Sequence, residues 1–242
     1  HIVVKDGAGN YSAVTSLWSQ MDSGTPADPP ATAAPVYQGA SAPLSGNGNV
    51  TLAWPAHEPD DVAVVLVEQR DNDAAEPAPS GWTMLADAAA ANSRLVAYWA
   101  RAGSAAEADF VLPDPGQHFA AQMLTFRGCR TSAAPVALLA MDDASGTTIG
   151  IPSADTTGPL RLVMPAIATG VGEGAGLALT SPLTNAGLDT LTMRVDITHA
   201  FGNDGGLFAA TGTLAAAGPT GVTAGEFNLA TDQATAVFEL IP

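Results

Sequence analysis

Between Pro59 and Arg130 the chain sets five apolar segments in close succession, each cut off by a turn signal, and this spacing limits the fold more than any other feature. The segments are Val62 to Val67, Trp82 to Leu85, Leu95 to Trp99, Phe110 to Leu112 and Phe119 to Phe126. Between them stand Asp71-Asn72-Asp73, Pro77 through Gly81, Asn92-Ser93, Gly103-Ser104 and Pro113 through Gly116. Runs this short are strand-sized, and turn residues between them make consecutive strands antiparallel, so the stretch predicts a sandwich or barrel.

The same rhythm continues beyond Arg130. Val136 to Met141 precedes a turn at Asp142 to Gly146, and Leu160 to Ala168 is a long apolar run interrupted by Pro165, which predicts an edge strand or a bulge. Thr190 to Thr198 alternates, with Leu191, Met193, Val195 and Ile197 on the face expected to be buried. Leu207 to Leu214, Val222 to Phe227 and Ala234 to Ile241 supply further strands. Helical periodicity is nearly absent; the one candidate lies within Met84 to Asn92, a single turn over Ala88 to Ala91. The expected fold is all-β: an antiparallel β-sandwich, jelly-roll-like, over residues 36–242. Its buried faces are expected to include Val62, Val64, Leu66, Leu95, Ala97, Trp99, Met123, Leu191, Met193, Val195 and Val237, with their neighbours pointing outward.

The first 35 residues read differently. Ile2 to Val4 and Tyr11 to Trp18 flank a Gly/Asn-rich turn and predict a hairpin over residues 1–22. Residues 23–35 carry Pro26, Pro29, Pro30 and Pro35 among Ala, Thr, Ser and Asp, the composition of a semi-rigid linker. Ile2, Val4, Tyr11, Val14, Leu17 and Trp18 are too few to form a core and enough to dock on another surface, so they are the candidate anchoring residues.

Charge narrows the partners. With 24 acidic against 8 basic residues the net charge is −16, which repels phosphate backbones and argues against nucleic acid. No run reaches the roughly 18 to 20 apolar residues of a membrane span, so insertion in a bilayer is not expected. The single cysteine, Cys129, allows no internal disulfide and is expected to be a small buried hydrophobe.

Candidate chemistry is sparse. His57, His118 and His199 are too far apart in sequence for a local metal motif, no Gly-x-Ser-x-Gly elbow is present, and no metal, cofactor or catalytic residue is assigned. Asp71-Asn72-Asp73 with Glu76 offers oxygen ligands without the rest of an EF-hand, and Asp142-Asp143 and Asn203 to Gly206 read as Asx turns. Asp60-Asp61 suits a turn before a strand; a glycosidase would need its two acids on one cleft. Gly170 to Gly176 lacks the lysine and the following helix of a phosphate loop. Trp82, Tyr98, Trp99, Phe110, Phe119 and Phe126 lie inside apolar strands, where core packing is favoured over sugar stacking.

The succession Pro59-Asp60-Asp61, Val62 to Glu68, Gly81-Trp82-Thr83-Met84-Leu85, Arg94 to Arg101 with Tyr98-Trp99, Ala108-Asp109-Phe110, and Ala120 through Arg127-Gly128 resembles a β-sandwich module of phage and prophage structural proteins. Val4-Lys5-Asp6-Gly7-Ala8-Gly9-Asn10 is similar to hairpins near the N-termini of phage tail proteins. The resemblance implies a non-enzymatic virion component on the particle's exterior: a tail fibre, tail-tip or spike protein in host attachment, or a capsid decoration protein. It further implies other virion proteins as partners, a homo-oligomer with a trimer favoured, and a host surface glycan or receptor as the target. A carbohydrate-active enzyme or secreted lectin is the competing reading from another class.

Overall fold

The structure, a computed structural model, describes residues 3–5 and 11–13 as strand backbone and residues 31–70, 74–116, 118–172, 176–200 and 205–242 in full. Every regular element among them is a strand, and every pairing is antiparallel. The all-β sandwich expected from the turn spacing is what forms.

The first half of the chain builds one sheet. Its strands are β3 (Val36–Ala40), β4 (Leu44–Gly46), β6 (Val62–Arg70), β7 (Thr83–Ala89), β8 (Ser93–Arg101) and β10 (Phe119–Arg127), numbered along the chain with β1 (Val3–Lys5), β2 (Tyr11–Ala13), β5 (Val50–Leu52) and β9 (Phe110–Leu112). The order across the sheet is β3-β10-β6-β8-β7, with β4 sharing β3's flank of β10. The second half builds the other sheet from β11 (Val136–Ile151), β12 (Arg161–Gly170), β13 (Leu179–Thr184), β14 (Asp189–His199), β15 (Gly205–Leu214) and β16 (Thr223–Leu240), in the order β11-β16-β12-β15-β14 with β13 on β16. A jelly roll passes its chain repeatedly between two sheets. Here the strands of the two six-stranded sheets are separated by one crossing, between Arg127 and Val136.

Three apolar clusters hold this arrangement. The central one lies between the sheets and draws on both, with Val62, Leu66, Leu124 and Phe126 facing Met164, Ala166, Leu207 and Phe238. A second covers the outer face of the first sheet, where the β5–β9 ribbon puts Val50, Leu52, Phe110 and Leu112 against Val65, Tyr98 and Met123. A third covers the outer face of the second sheet, around Ile149, Ile167, Phe208 and Phe227. Each fully buried Val, Leu or Phe stabilises by about 1.5–3 kcal/mol relative to exposure, so sheets covered on both sides draw on two faces of such side chains.

That double coverage corrects the expectation of outward-pointing neighbours. Ala63, Val65 and Val67 are as buried as Val62, Val64 and Leu66, so the unbroken run Val62 to Val67 belongs to a strand packed on both faces. Met123 and Val237 serve the outer clusters, and Trp99, Leu191 and Met193 are half-buried.

Three local expectations also change. Thr83–Ala89 is strand rather than the start of a helical turn, because Ala86, Asp87, Ala88 and Ala89 pair with Ala97, Val96, Leu95 and Arg94. Pro165 sits in a central strand with no shift of register; the ladder to β15 skips from Val163 to Ala166, where proline has no N–H to give. The alternation of β14 breaks at Arg194, since Met193 pairs Ala210 while Val195 pairs Ala209. The extra residue is a β-bulge, and it sends Leu191 and Met193 to the outer cluster while Val195 and Ile197 face the other sheet. Arg194 is thereby placed 4.1 Å from the ring centre of Tyr37 on β3, with its Nε donating to Thr211 Oγ1 at 2.8 Å.

The N-terminal hairpin is seen as β1 paired with β2, Val4 opposite Ser12 and Lys5 opposite Tyr11. Of the anchoring candidates, Val4 and Tyr11 are described only as strand positions, and Ile2, Val14, Leu17 and Trp18 lie outside the described residues. So do Asp71-Asn72-Asp73, Glu173 within the glycine loop, and Asn203-Asp204.

Candidate functional site

Two places gather polar side chains in ways the strand pattern alone does not require. The first is a polar layer between the sheets, at the end of the sandwich where β6 and β14 finish. On β6 the inward face reads Val62, Val64, Leu66, Glu68, Arg70; on β14 it reads Val195, Ile197, His199. His199 Nε2 and Glu68 Oε2 meet at 2.9 Å, both side chains fully shielded from solvent. Burial drives the Glu68 carboxyl well above its ordinary range, and the hydrogen bond and charge of His199 together with the charge of Arg70 draw it part of the way back. Glu68 Oε1 and His199 Nδ1 have no hydrogen-bond partner among the described residues.

Glycines make the room for this layer. A Cβ on Gly205 would lie 2.8 Å from His199 Nε2 and 3.0 Å from Glu68 Oε1, and one on Gly170 would lie 1.8 Å from Arg70 Nη1. Arg70 Nη1 donates to the Asn92 carbonyl at 2.9 Å, and Ser93 Oγ reaches the Asp232 carbonyl at 3.2 Å. Above Arg70 a cleft of about 330 Å³ opens between Asn92, Gly146, Gly170, Thr231 and Asp232. Chemically this layer can hold one proton between two shielded groups and tie the halves together.

Two other carboxylates are held by arginine. Asp61, buried at the start of the first sheet, receives Arg127 Nε at 2.9 Å and Nη2 at 2.8 Å and the Glu58 N–H at 2.9 Å. Its neighbour Asp60 is exposed at a turn with φ 71°, so the adjacent acids do not share a cleft. Glu239, fully buried on β16, lies 3.3 Å from Arg161 Nε and accepts the Thr157 N–H at 3.0 Å.

The second place is on the outside of the first sheet, around Trp54. Nothing in the sequence singles it out, since Trp54 ends the short apolar run from Val50 and precedes a proline, with no motif around it. It is half-buried, with its ring centre 5.5 Å from that of Trp82 and 4.8 Å from that of His57. Trp82 in turn meets Phe110 edge-on at 4.8 Å. Among the other aromatics considered for a binding face, Tyr98, Phe110, Phe119 and Phe126 are fully buried, as core packing requires.

Trp54 forms a wall shared by two clefts of about 460 Å³ each. One also includes Pro55, His57, Ala105, Glu107 and Asp109; the other includes Ser41, Pro43, Leu44 and Thr51. His57 donates its Nδ1–H to the Pro55 carbonyl at 2.7 Å, and its Nε2 is buried with no hydrogen-bond partner among the described residues. The N–H of Ser104 and that of Gly103, each 2.8 Å from Glu107 Oε1, join the Ser104 hydroxyl in holding this carboxyl below the usual carboxylate range.

The histidines do not converge: His57 lies by Trp54, His118 just before β10, and His199 between the sheets. No group of three or more His, Cys, Asp or Glu able to hold a metal ion occurs among the described residues. No family model, curated protein or solved structure matches the chain.

Proposed function

We propose that this chain is a non-enzymatic virion component of a tailed bacteriophage or a related particle, working in a tail fibre, tail tip or spike as a rigid sandwich carried on an N-terminal arm. The observation that carries the reading is the clasp of Arg127 on Asp61. The segments that resemble the phage module begin at Pro59-Asp60-Asp61 and end at Arg127-Gly128, and these two ends are joined by a pair of parallel hydrogen bonds. The most recognisable charged residues of the pattern are therefore engaged in closing a scaffold.

Two further features support it. Glu68–His199 and Arg161–Glu239 likewise commit buried polar groups to holding strands in place. The chain also reaches the sandwich from one side: residues 31–34, in the last part of the linker, line an apolar groove of about 540 Å³ with Val36, Gly128 and Cys129. An arm leaving from a single end can reach a neighbouring subunit while the sandwich faces the host.

The test is to purify particles after induction of the host that encodes the chain, and to compare the intact protein with a deletion of His1 to Ser23. Mass spectrometry should find the intact chain in the tail fraction, and the deletion should be lost from particles at an unchanged melting temperature. Presence in the head fraction would favour capsid decoration. Absence from particles would overturn the reading, and normal incorporation of a destabilised deletion would remove the role of the arm.

A further inference from the structure

We infer that the cleft walled by Trp54 and rimmed by His57, Glu107 and Asp109 binds an uncharged or amine-bearing sugar, as the terminal unit of a glycan. The inference deepens the attachment reading and takes its biological sense from it, while the binding itself is a property of the isolated chain.

The argument begins with the tryptophan. An indole buried to satisfy a core is covered on both faces, whereas Trp54 is anchored by Trp82 and His57 and still contributes surface to two clefts. A flat, polarisable ring held rigidly at a water boundary suits the C–H face of a pyranose, which is apolar and presents slightly positive hydrogens to the negative ring face. Each cleft, at about 460 Å³, falls in the size range of small-molecule sites.

The rim decides which sugar. Glu107 is immobilised through Oε1 by two backbone N–H groups and a hydroxyl, and those bonds favour its ionised form. Asp109 is exposed beside it. The two carboxylates thus supply acceptors, and among the described residues neither arginine nor lysine lines the cleft. A ligand that fits must bring donors: the hydroxyls of a neutral hexose, or the ammonium of an amino sugar, which forms the stronger charge-assisted bond. A carboxylated or sialylated sugar would meet Glu107 and Asp109 at close range and the net charge of −16 at long range.

The experiment uses the full chain with galactose, glucose, N-acetylglucosamine, glucosamine, glucuronate and N-acetylneuraminate as probes. Saturation-transfer NMR and calorimetry should show neutral and amino sugars binding with Kd of about 1 mM, and the two anionic sugars at least about tenfold more weakly. Trp54→Ala should weaken binding about tenfold or more. Asp109→Asn, on an exposed loop, should weaken glucosamine more than galactose and keeps the test available if the tryptophan variant fails to fold. No saturation transfer at about 10 mM of any neutral or amino sugar, a preference for the anionic ones, or binding indifferent to both substitutions would overturn the inference. A chain found in particles that binds no sugar fails this inference alone; a chain that binds sugar and is absent from particles fails the attachment reading alone.

Discussion

Glu68 and His199 lie 131 positions apart in the chain and meet at 2.9 Å, one from each sheet, with no solvent reaching either side chain. Removing His199 leaves the shielded Glu68 carboxyl without its hydrogen-bond partner, a loss of about 1–3 kcal/mol. His199→Ala should therefore lower the unfolding free energy from urea titration by that amount, and a loss below about 0.5 kcal/mol would show that the pair does not hold the sheets.

The same carboxyl gives a pH dependence of definite sign. Burial raises Glu68 above its ordinary 4.5, so the folded chain holds this proton more tightly than the unfolded one. Its contribution to stability is complete below about pH 4.5 and declines as pH rises until the folded carboxyl has ionised. Across a window that opens at pH 4.5, wild type should lose stability relative to Glu68→Gln; parallel denaturation midpoints for the two proteins would contradict this.

Asp61 works in the opposite direction. Burial alone would raise its carboxyl, and the hydrogen bonds from Arg127 and Glu58 with the Arg127 charge outweigh that and hold it below the ordinary 3.8. The stability it contributes is present above pH 3.8 and lost as pH falls through the lower folded value. Asp61→Asn should be less stable than wild type at pH 7, with the difference narrowing in strong acid. A difference that stays constant from pH 7 to pH 2, followed by circular dichroism, would remove the clasp as its cause.

Gly170 and Gly150 give a matched pair of alanine substitutions. At Gly170 the new Cβ would lie 1.8 Å from Arg70 Nη1, which can move, and 2.6 Å from the Asn92 carbonyl oxygen, which belongs to backbone. At Gly150 nothing lies within 4 Å. Gly170→Ala should cost about 1–3 kcal/mol and Gly150→Ala less than about 0.5 kcal/mol. Equal effects in calorimetry would mean that the polar layer yields freely.

Cys129 follows β10 and is buried, and burial pushes its thiol up to about 12. A thiol so rarely ionised at pH 8 should react negligibly with an aromatic disulfide reagent in the native protein and fully after unfolding in guanidinium. Rapid native labelling would show that the segment between the sheets opens.

Much of the fold was legible in the sequence because its signals are local: apolar runs of strand length, with Gly, Pro and Asx residues between them. What escaped depends on distant partners. The run Val62 to Val67 carried the mark of a strand covered on both sides, but its outer cover comes from Val50, Leu52, Phe110 and Leu112. The Arg194 bulge was invisible because Tyr37 and Thr211 receive that side chain from β3 and β15. Alanines at 88 and 89 favour helix in isolation, and pairing with Leu95 and Arg94 overrides them. The polar layer had no spacing to betray it, and Trp54 acquires its two clefts only when the segment 53–57 folds against the loops around it.

The single crossing between the sheets also sets the order of events during synthesis. A chain emerging from the ribosome completes the first sheet, from Val36 to Arg127, before any strand of the second exists. Until β12, β15 and β16 arrive, the face carrying Val62, Val64, Leu66, Leu95 and Leu124 is a broad sticky surface, the kind of exposure that invites pairing with a second nascent chain. Slow elongation through residues 128–160, or a chaperone bound to that half-finished face, would therefore govern yield more strongly than the final stability of the sandwich.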